Sequence, residues 1–385
     1  MASSPKTGEK RKATAISAEP LIDIVDIDPN GDLILVIGAD LAGKKLTLMQ
    51  AEKPAAFRVD YKTLARHSSI QPIQPQADPA NQSRASSIPE AGGALRLPKA
   101  SPTGWEFLLR LAHGQVGKVP EQQTFQDIYE ILCTAFDTQM LPLLKDRIPS
   151  WFSSAGDATV VPPLQCDFTD ATSAIDLAKA HRIGFHLGNE SLITKVWKHI
   201  IFHSTLMPAP NCLLAIQGMP LNTPKLQIQP FLLAFLKAQR LQILKALVDA
   251  MVLFVQQLEG TQDLPLADRC PHHRGQGDRQ KLCAALALGS LSQALAAKGN
   301  HLFWPLWAAE CINVQTVQEL VTAWTSIELK GLSDTVTPSK RMHKCDWTSV
   351  LRKRVQAAAV FEITWPENVK ADVARQAARM GLEGL

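Results

Sequence analysis

Short apolar runs open the chain, and longer stretches with a helical period follow. Asp32–Ile37 ("DLILVI") sets five apolar residues between an Asp and Gly38, and Phe57–Asp60 ("FRVD") is a shorter segment of the same kind. Runs of this length, bounded by Gly and Asp, predict buried strands. "ALRLP" (Ala94–Pro98) predicts a third. Beyond it the period changes. Trp105, Leu108, Leu109 and Ala112 fall at i, i+3, i+4 and i+7, the stripe of an amphipathic helix. A second helix is predicted to begin at Thr124, with Asp127 three residues on in a near capping box, and to bury Phe125, Ile128, Leu132 and Ala135. A third covers Leu141–Phe152. "ATSAIDLAKAHRIG" and "NESLITKVWKHIIFHS" predict a helical pair, its second member burying Leu192, Val196, Trp197, Ile200 and Ile201. A long helix through Leu258 then carries Leu244, Leu247, Val248, Met251, Val255 and Leu258 on one side.

Polar segments separate these elements. Residues 1–20 read as a disordered tail, with Lys10-Arg11-Lys12 as a solvated run or a nuclear-import signal. Residues 71–94 are dominated by Pro, Gln, Ser and Ala. Such a stretch buries too little apolar surface to offset its ordering entropy, so a flexible insertion is expected. A Pro-rich link covers Pro208–Pro230, and "DRCPHHRGQGDRQ" and Ser333–Arg341 break the helical final third. The pattern as a whole is α+β: a short sheet with clustered helices, then a mostly α-helical region.

Composition narrows the class. With 46% hydrophobic and 20% charged residues, the 385-residue chain can build real cores in about two domains. A net charge of +4 is too small to imply a nucleic-acid partner without a clustered patch. No apolar stretch follows Met1, so an intracellular protein, cytoplasmic or nuclear, with reduced cysteines is expected. The most apolar long segment, Phe231–Leu258, carries Lys237, Arg240, Lys245 and Asp249. Each would cost roughly 2.5–3.5 kcal/mol at a bilayer centre, so a core helix is expected and a membrane span is not.

"ILVIGADLAGKK" (Ile34–Lys45) falls one residue short of the phosphate-binding pattern, because Lys45 stands where a Ser or Thr hydroxyl would hold magnesium. "LTLM" after it alternates like a strand and opens no amphipathic helix. A strand ending in a Gly-bounded turn is the better account, with a nucleotide-binding enzyme through Gly38–Lys45 as an alternative.

The strand pair, with "DPNGDLILVIG" leading to "FRVDYKTLA", resembles the opening of fungal BTB/POZ-domain proteins. The stretch "LRLPKASPTGWEFLLRLAHGQVGKVPEQQTFQDIYEILCTAFDTQMLPLLKDRIPSWF" resembles that family's segment from the third strand through its helical half. "LAKAHRIGFHLGNESLITKVWKHIIFHST" is similar to the extension that follows. The ordered series covers roughly residues 21–205. It implies a BTB/POZ-like domain over 21–152 with the insertion at 71–94, a helical extension over 164–205, and a C-terminal α-helical domain over 225–385. After "ARHSSI" the sequence departs from the family, next to the surface through which such domains self-associate.

Cys270, Cys283, His343 and Cys345 offer three sulfurs and one nitrogen, the ligand types of a structural zinc. There is no C-x-x-C pair, and burial of each thiol as a small hydrophobe is the competing account. The resemblance favours zinc, since fungal members of the group look similar in this region. His272 or His273 stands as a substitute ligand, and no other cofactor is required.

No nucleophile, base and orienter come together in the sequence. "LGSLSQ" lacks the second Gly of a nucleophile turn. His181, His186, His199 and His203 read as surface or core histidines, and Glu106 and Glu130 as solvated helix faces. The expectation is a non-enzyme that binds proteins: itself, other partners or, by resemblance, a cullin-type ubiquitin ligase subunit. It takes no small-molecule substrate. A transcriptional or chromatin regulator assembled through the same domain is the other non-catalytic reading.

Overall fold

The computed structural model describes residues 23–38, 54–69, 93–97, 100–152, 168–207, 213–223, 226, 228–259, 277–297, 315–330 and 346–382. The chain divides into two compact units, Met1–Val119 and Pro120–Leu385. Both α and β elements are present and helices dominate.

The first unit is built on a four-stranded sheet of β1 (Ile24–Asp26), β2 (Leu33–Ile37), β3 (Ala55–Val59) and β4 (Gly93–Leu97), in the order β1-β3-β2-β4. β2 and β3 are antiparallel, with Leu35 opposite Phe57. β4 joins the other side of β2 in parallel, and β1 runs parallel to β3. This placement explains the unbroken apolar run: β2 is interior to the sheet and all five of its residues are buried. β4 begins at Gly93, two residues inside the predicted insertion, whose remainder lies outside the described residues. Gly31 sits where a Cβ would come 2.4 Å from the Val59 carbonyl carbon, so only glycine lets the chain pass β3 this closely.

One helix lies between β3 and β4 and a second follows β4. α1 (Tyr61–His67) is capped by Asp60, which accepts from the Thr63 amide and hydroxyl; these bonds hold its carboxyl below the usual range. α2 (Pro102–Ala112) starts with Ser101 as cap and Pro at N1, a position with no helical partner for the missing N–H. Its predicted stripe is buried at Trp105, Leu108 and Leu109, and it packs on α1 and β3.

The second unit contains α3 (Phe125–Asp137), α4 (Ile148–Phe152), α5 (Ala174–Leu187), α6 (Glu190–His203), α7 (Pro230–Leu258), α8 (Gly277–Ala297), α9 (Val317–Thr325), α10 (Trp347–Ala359) and α11 (Glu367–Met380). The capping box at Thr124 and Asp127 is formed, and Ile128, Leu132 and Ala135 are fully buried. α3 packs on α5, which places it with the helical unit and not with the sheet, although the sequence grouped it in a domain ending at 152. The helix expected over Leu141–Phe152 is divided into a 3-10 turn at Leu141–Leu144 and the short α4. Pro149 is the reason: within one continuous helix its ring would meet the carbonyl four residues earlier.

Sequence reading also missed a small sheet that begins just before the Pro-rich link and continues within it. β5 (Thr205–Leu206), β6 (Leu214–Ile216) and β7 (Met219–Pro220) pair antiparallel in that order. β6 and β7 are joined by Gln217-Gly218, both at positive φ (50° and 77°), as a two-residue turn matched to strand twist requires. The signal was present as "LAIQGMP", a Gly-containing pair between apolar residues.

α7 is the axis of the unit, packed by α6, α8, α9 and α10. By length and composition it is the single described helix able to cross a membrane. Within the fold Leu244, Leu247, Met251 and Leu258 are buried as predicted, while Val248 and Val255 lie at the edge of that face.

Candidate functional site

Chemistry-bearing side chains concentrate on α5, α6 and α7. Arg240 of α7 is 0% exposed. Its Nε donates to the Ser204 carbonyl at the end of α6 (3.1 Å), and its Nη2 to the Gln315 carbonyl just before α9 (2.7 Å). A cation at a helix C-terminus satisfies carbonyls that have no helical donor and complements the helix dipole. Desolvation pushes the guanidinium down to about 10, so it stays charged at neutral pH. Arg240 is therefore a positioning residue that ties three helices together. Arg240→Met keeps most of the volume but strips a donor from both carbonyls. It is expected to destabilise the protein by about 3 kcal/mol, read as a lower urea midpoint at unchanged slope.

The histidines divide by environment. His186 and His199 are 3% and 7% exposed, and desolvation pushes them down to about 3 and about 4. His186 accepts from Arg182 Nε at 3.2 Å and lies against Phe136. His199 stacks on His203, with ring centroids 4.1 Å apart, and His203 Nδ1 lies 2.8 Å from Asp170 Oδ1. His181, partly exposed, stacks on Trp197 and is pushed down to about 4 by desolvation. A carboxylate–imidazole pair such as Asp170–His203 can orient a base, but no Ser, Cys or Thr hydroxyl or thiol is recorded bonded to it among the described residues. Cys133, the buried thiol on α3, is pushed up to about 11 by desolvation, away from nucleophilic use at neutral pH.

Two glutamates differ from each other. Glu106 forms the surface pair expected of a solvated face, with Arg110 at 2.6 Å. Glu130 does not: it is buried and accepts from Gln126 Nε2 one turn earlier on α3.

Of the four candidate zinc ligands, Cys283 alone lies within the described residues. It is 0% exposed on α8, and its Sγ accepts from the Trp347 indole N–H at 3.3 Å. Cys270, His343 and Cys345, like His272 and His273, lie outside them. Among the described residues no three His, Cys, Asp or Glu side chains converge as a metal site.

The phosphate-loop near-match has one described end. Gly38 closes β2 at φ +76°, and its amide donates to the Leu97 carbonyl at 3.1 Å. That N–H is committed to the sheet and is not presented to a phosphate. Lys44 and Lys45 lie outside the described residues.

No family model, curated protein or solved structure matches this chain. The functional reading therefore rests on the residues themselves. Trp105, Trp197 and Trp324 are core residues, at most 2% exposed, and present no stacking platform. Binding surfaces remain as the other class of site. Among exposed large apolar side chains are Val116 in the first unit and Phe231, Leu241, Leu253, Leu282 and Val360 in the second.

Proposed function

We propose that the chain is a non-catalytic protein–protein interaction module of the BTB/POZ type, acting as a scaffold or as an adaptor that recruits targets to a cullin-type ubiquitin ligase. The observation that carries this reading is the order of pairing in the first unit. The "GDLILVIG" strand pairs antiparallel with the "FRV" strand, a helix follows at once, and the "ALRL" strand returns parallel to the first. Those are the segments on which the family resemblance rests, in the order in which it needs them.

In this reading the second unit presents the recruited protein, and structural zinc at Cys270, Cys283, His343 and Cys345 is a staple of that unit. The test is mass spectrometry of proteins recovered with the tagged full chain from its own cells, beside a variant lacking residues 1–119. A cullin subunit recovered with the full chain and lost with the variant supports the adaptor. Other partners lost in the same way support the scaffold. Recovery of no protein that depends on residues 1–119 overturns both.

A further inference from the structure

Among the described residues, the longest helix leaves one face uncovered. α7 meets α6, α8, α9 and α10 through the side that carries Leu236, Leu247 and Met251. On the opposite side Leu241 (41% exposed), Lys245, Asp249 and Leu253 (39% exposed) follow one another at steps of four. Residues so spaced form a continuous ridge, here about 18 Å long. Neither Lys245 nor Asp249 has an ion-pair partner among the described residues.

The charge order along this ridge is complementary to its own reverse. Read forwards it is Leu, cation, anion, Leu; read backwards it is Leu, anion, cation, Leu. A second copy of the helix laid antiparallel, with its two-fold axis level with Leu247, sets Leu241 against Leu253 and Lys245 against Asp249. The symmetry repeats both contacts. We propose that this face of α7 is a self-complementary dimer interface and that its occupant is a second copy of this chain.

Several physical points converge on that arrangement. A two-fold interface must match itself under reversal, and the charge order does so. Ridges of this spacing interdigitate at a crossing angle of about −50°. A parallel pairing would set Lys245 against Lys245 and Asp249 against Asp249, so the charges also select direction. Lipid is the competing occupant, because the helix is long and apolar enough to span a bilayer. A cation and an anion at the middle of the exposed face oppose burial in hydrocarbon. One helix–helix seam is a small interface, so dissociation on the order of 10 µM is expected.

The test uses the full chain in sedimentation velocity across a concentration series, with neutral phosphatidylcholine vesicles as a separate arm. Lys245→Asp and Asp249→Lys place like charges together twice per dimer, and each is expected to weaken association at least about tenfold. The double variant K245D/D249K restores the order in reverse and is expected to return to within about threefold of the parent. An equimolar mixture of the two single variants is expected to pair with each other in preference to themselves. All four positions are exposed, so folding is expected to be unchanged, and circular dichroism verifies it. Monomer at all concentrations, a dimer indifferent to the charge reversals, or vesicle binding in place of dimerisation would each overturn the proposal. The ridge lies outside residues 21–205, so either outcome leaves the adaptor reading to its own test.

Discussion

Gly188→Ala is expected to destabilise the helical unit by about 4 kcal/mol, enough to remove a large part of its folding free energy. Gly188 caps α5 at φ +68°, its amide bonded back to Phe185 and Gly184 carbonyls. An L-residue in that left-handed cap costs about 1 kcal/mol. The larger part is steric. A Cβ there would sit 2.1 Å from the Ala377 amide nitrogen and 2.5 Å from its Cα, both backbone atoms of α11. α11 must move off α5 to admit the methyl group, giving up packing around Val373 and Met380. Gly218→Ala is the matched control, because Gly218 also has positive φ (+77°) but open space where the Cβ would go. It is expected to cost only about 1 kcal/mol. Ala377→Gly is not expected to rescue G188A, since the closest atoms are backbone. Urea melts of the three variants read the difference. Equal losses for G188A and G218A would show that α11 does not press on α5 as described.

Stability is also expected to fall steeply as pH drops from about 6.5 to about 4, through histidines that fold in the neutral form. His186 and His199 are pushed down from 6.5 to about 3 and about 4. For both, desolvation is the main cause; Arg182 lowers His186 further, and His203 lowers His199 while Asp170 opposes it. Between the two pKa values the unfolded chain holds the proton and the folded chain does not. Acid therefore favours unfolding. The stabilisation is complete above the unfolded value, near 6.5, and is lost progressively as pH falls toward the folded value. A histidine lowered from 6.5 to about 4 contributes on the order of 3 kcal/mol, with a limiting slope of about 1.4 kcal/mol per pH unit. His181 acts in the same direction, with less weight because the residue is partly exposed. The measurement is the urea midpoint of the full chain from pH 7 to pH 4.5, beside H186Q/H199Q. The double variant is expected to be less stable at pH 7 but markedly flatter with pH. An unchanged slope would mean that these rings are not held neutral by burial.

Much of the local architecture was legible because it depends on neighbours a few residues apart. The capping box at Thr124 and Asp127, the Trp105–Leu109 stripe and the five-residue strand Leu33–Ile37 each follow from spacing alone. The Gln217-Gly218 hairpin was equally local and was passed over because Pro dominates its surroundings. The division of the helix at Pro149 was equally local, yet the stretch Leu141–Phe152 was read as one helix.

Distance in sequence hid the rest. Arg240 falls on the apolar stripe of α7, but its two carbonyl partners lie 36 and 75 residues away. Cys283 is a candidate zinc ligand by residue type, and only the fold brings the Trp347 indole, 64 residues on, to its sulfur. Glu130 reads as a surface glutamate from its spacing, and only the folded chain buries it. The order Leu241, Lys245, Asp249, Leu253 was fixed by the sequence and its helical period, while its exposure was decided when four other helices covered the opposite face. By itself the sequence determined the elements, their caps and an α+β class, because hydrogen bonding and helical period act over a few residues. The tertiary structure decided which charges are buried and which face is left to meet a second molecule, because desolvation depends on everything that packs nearby.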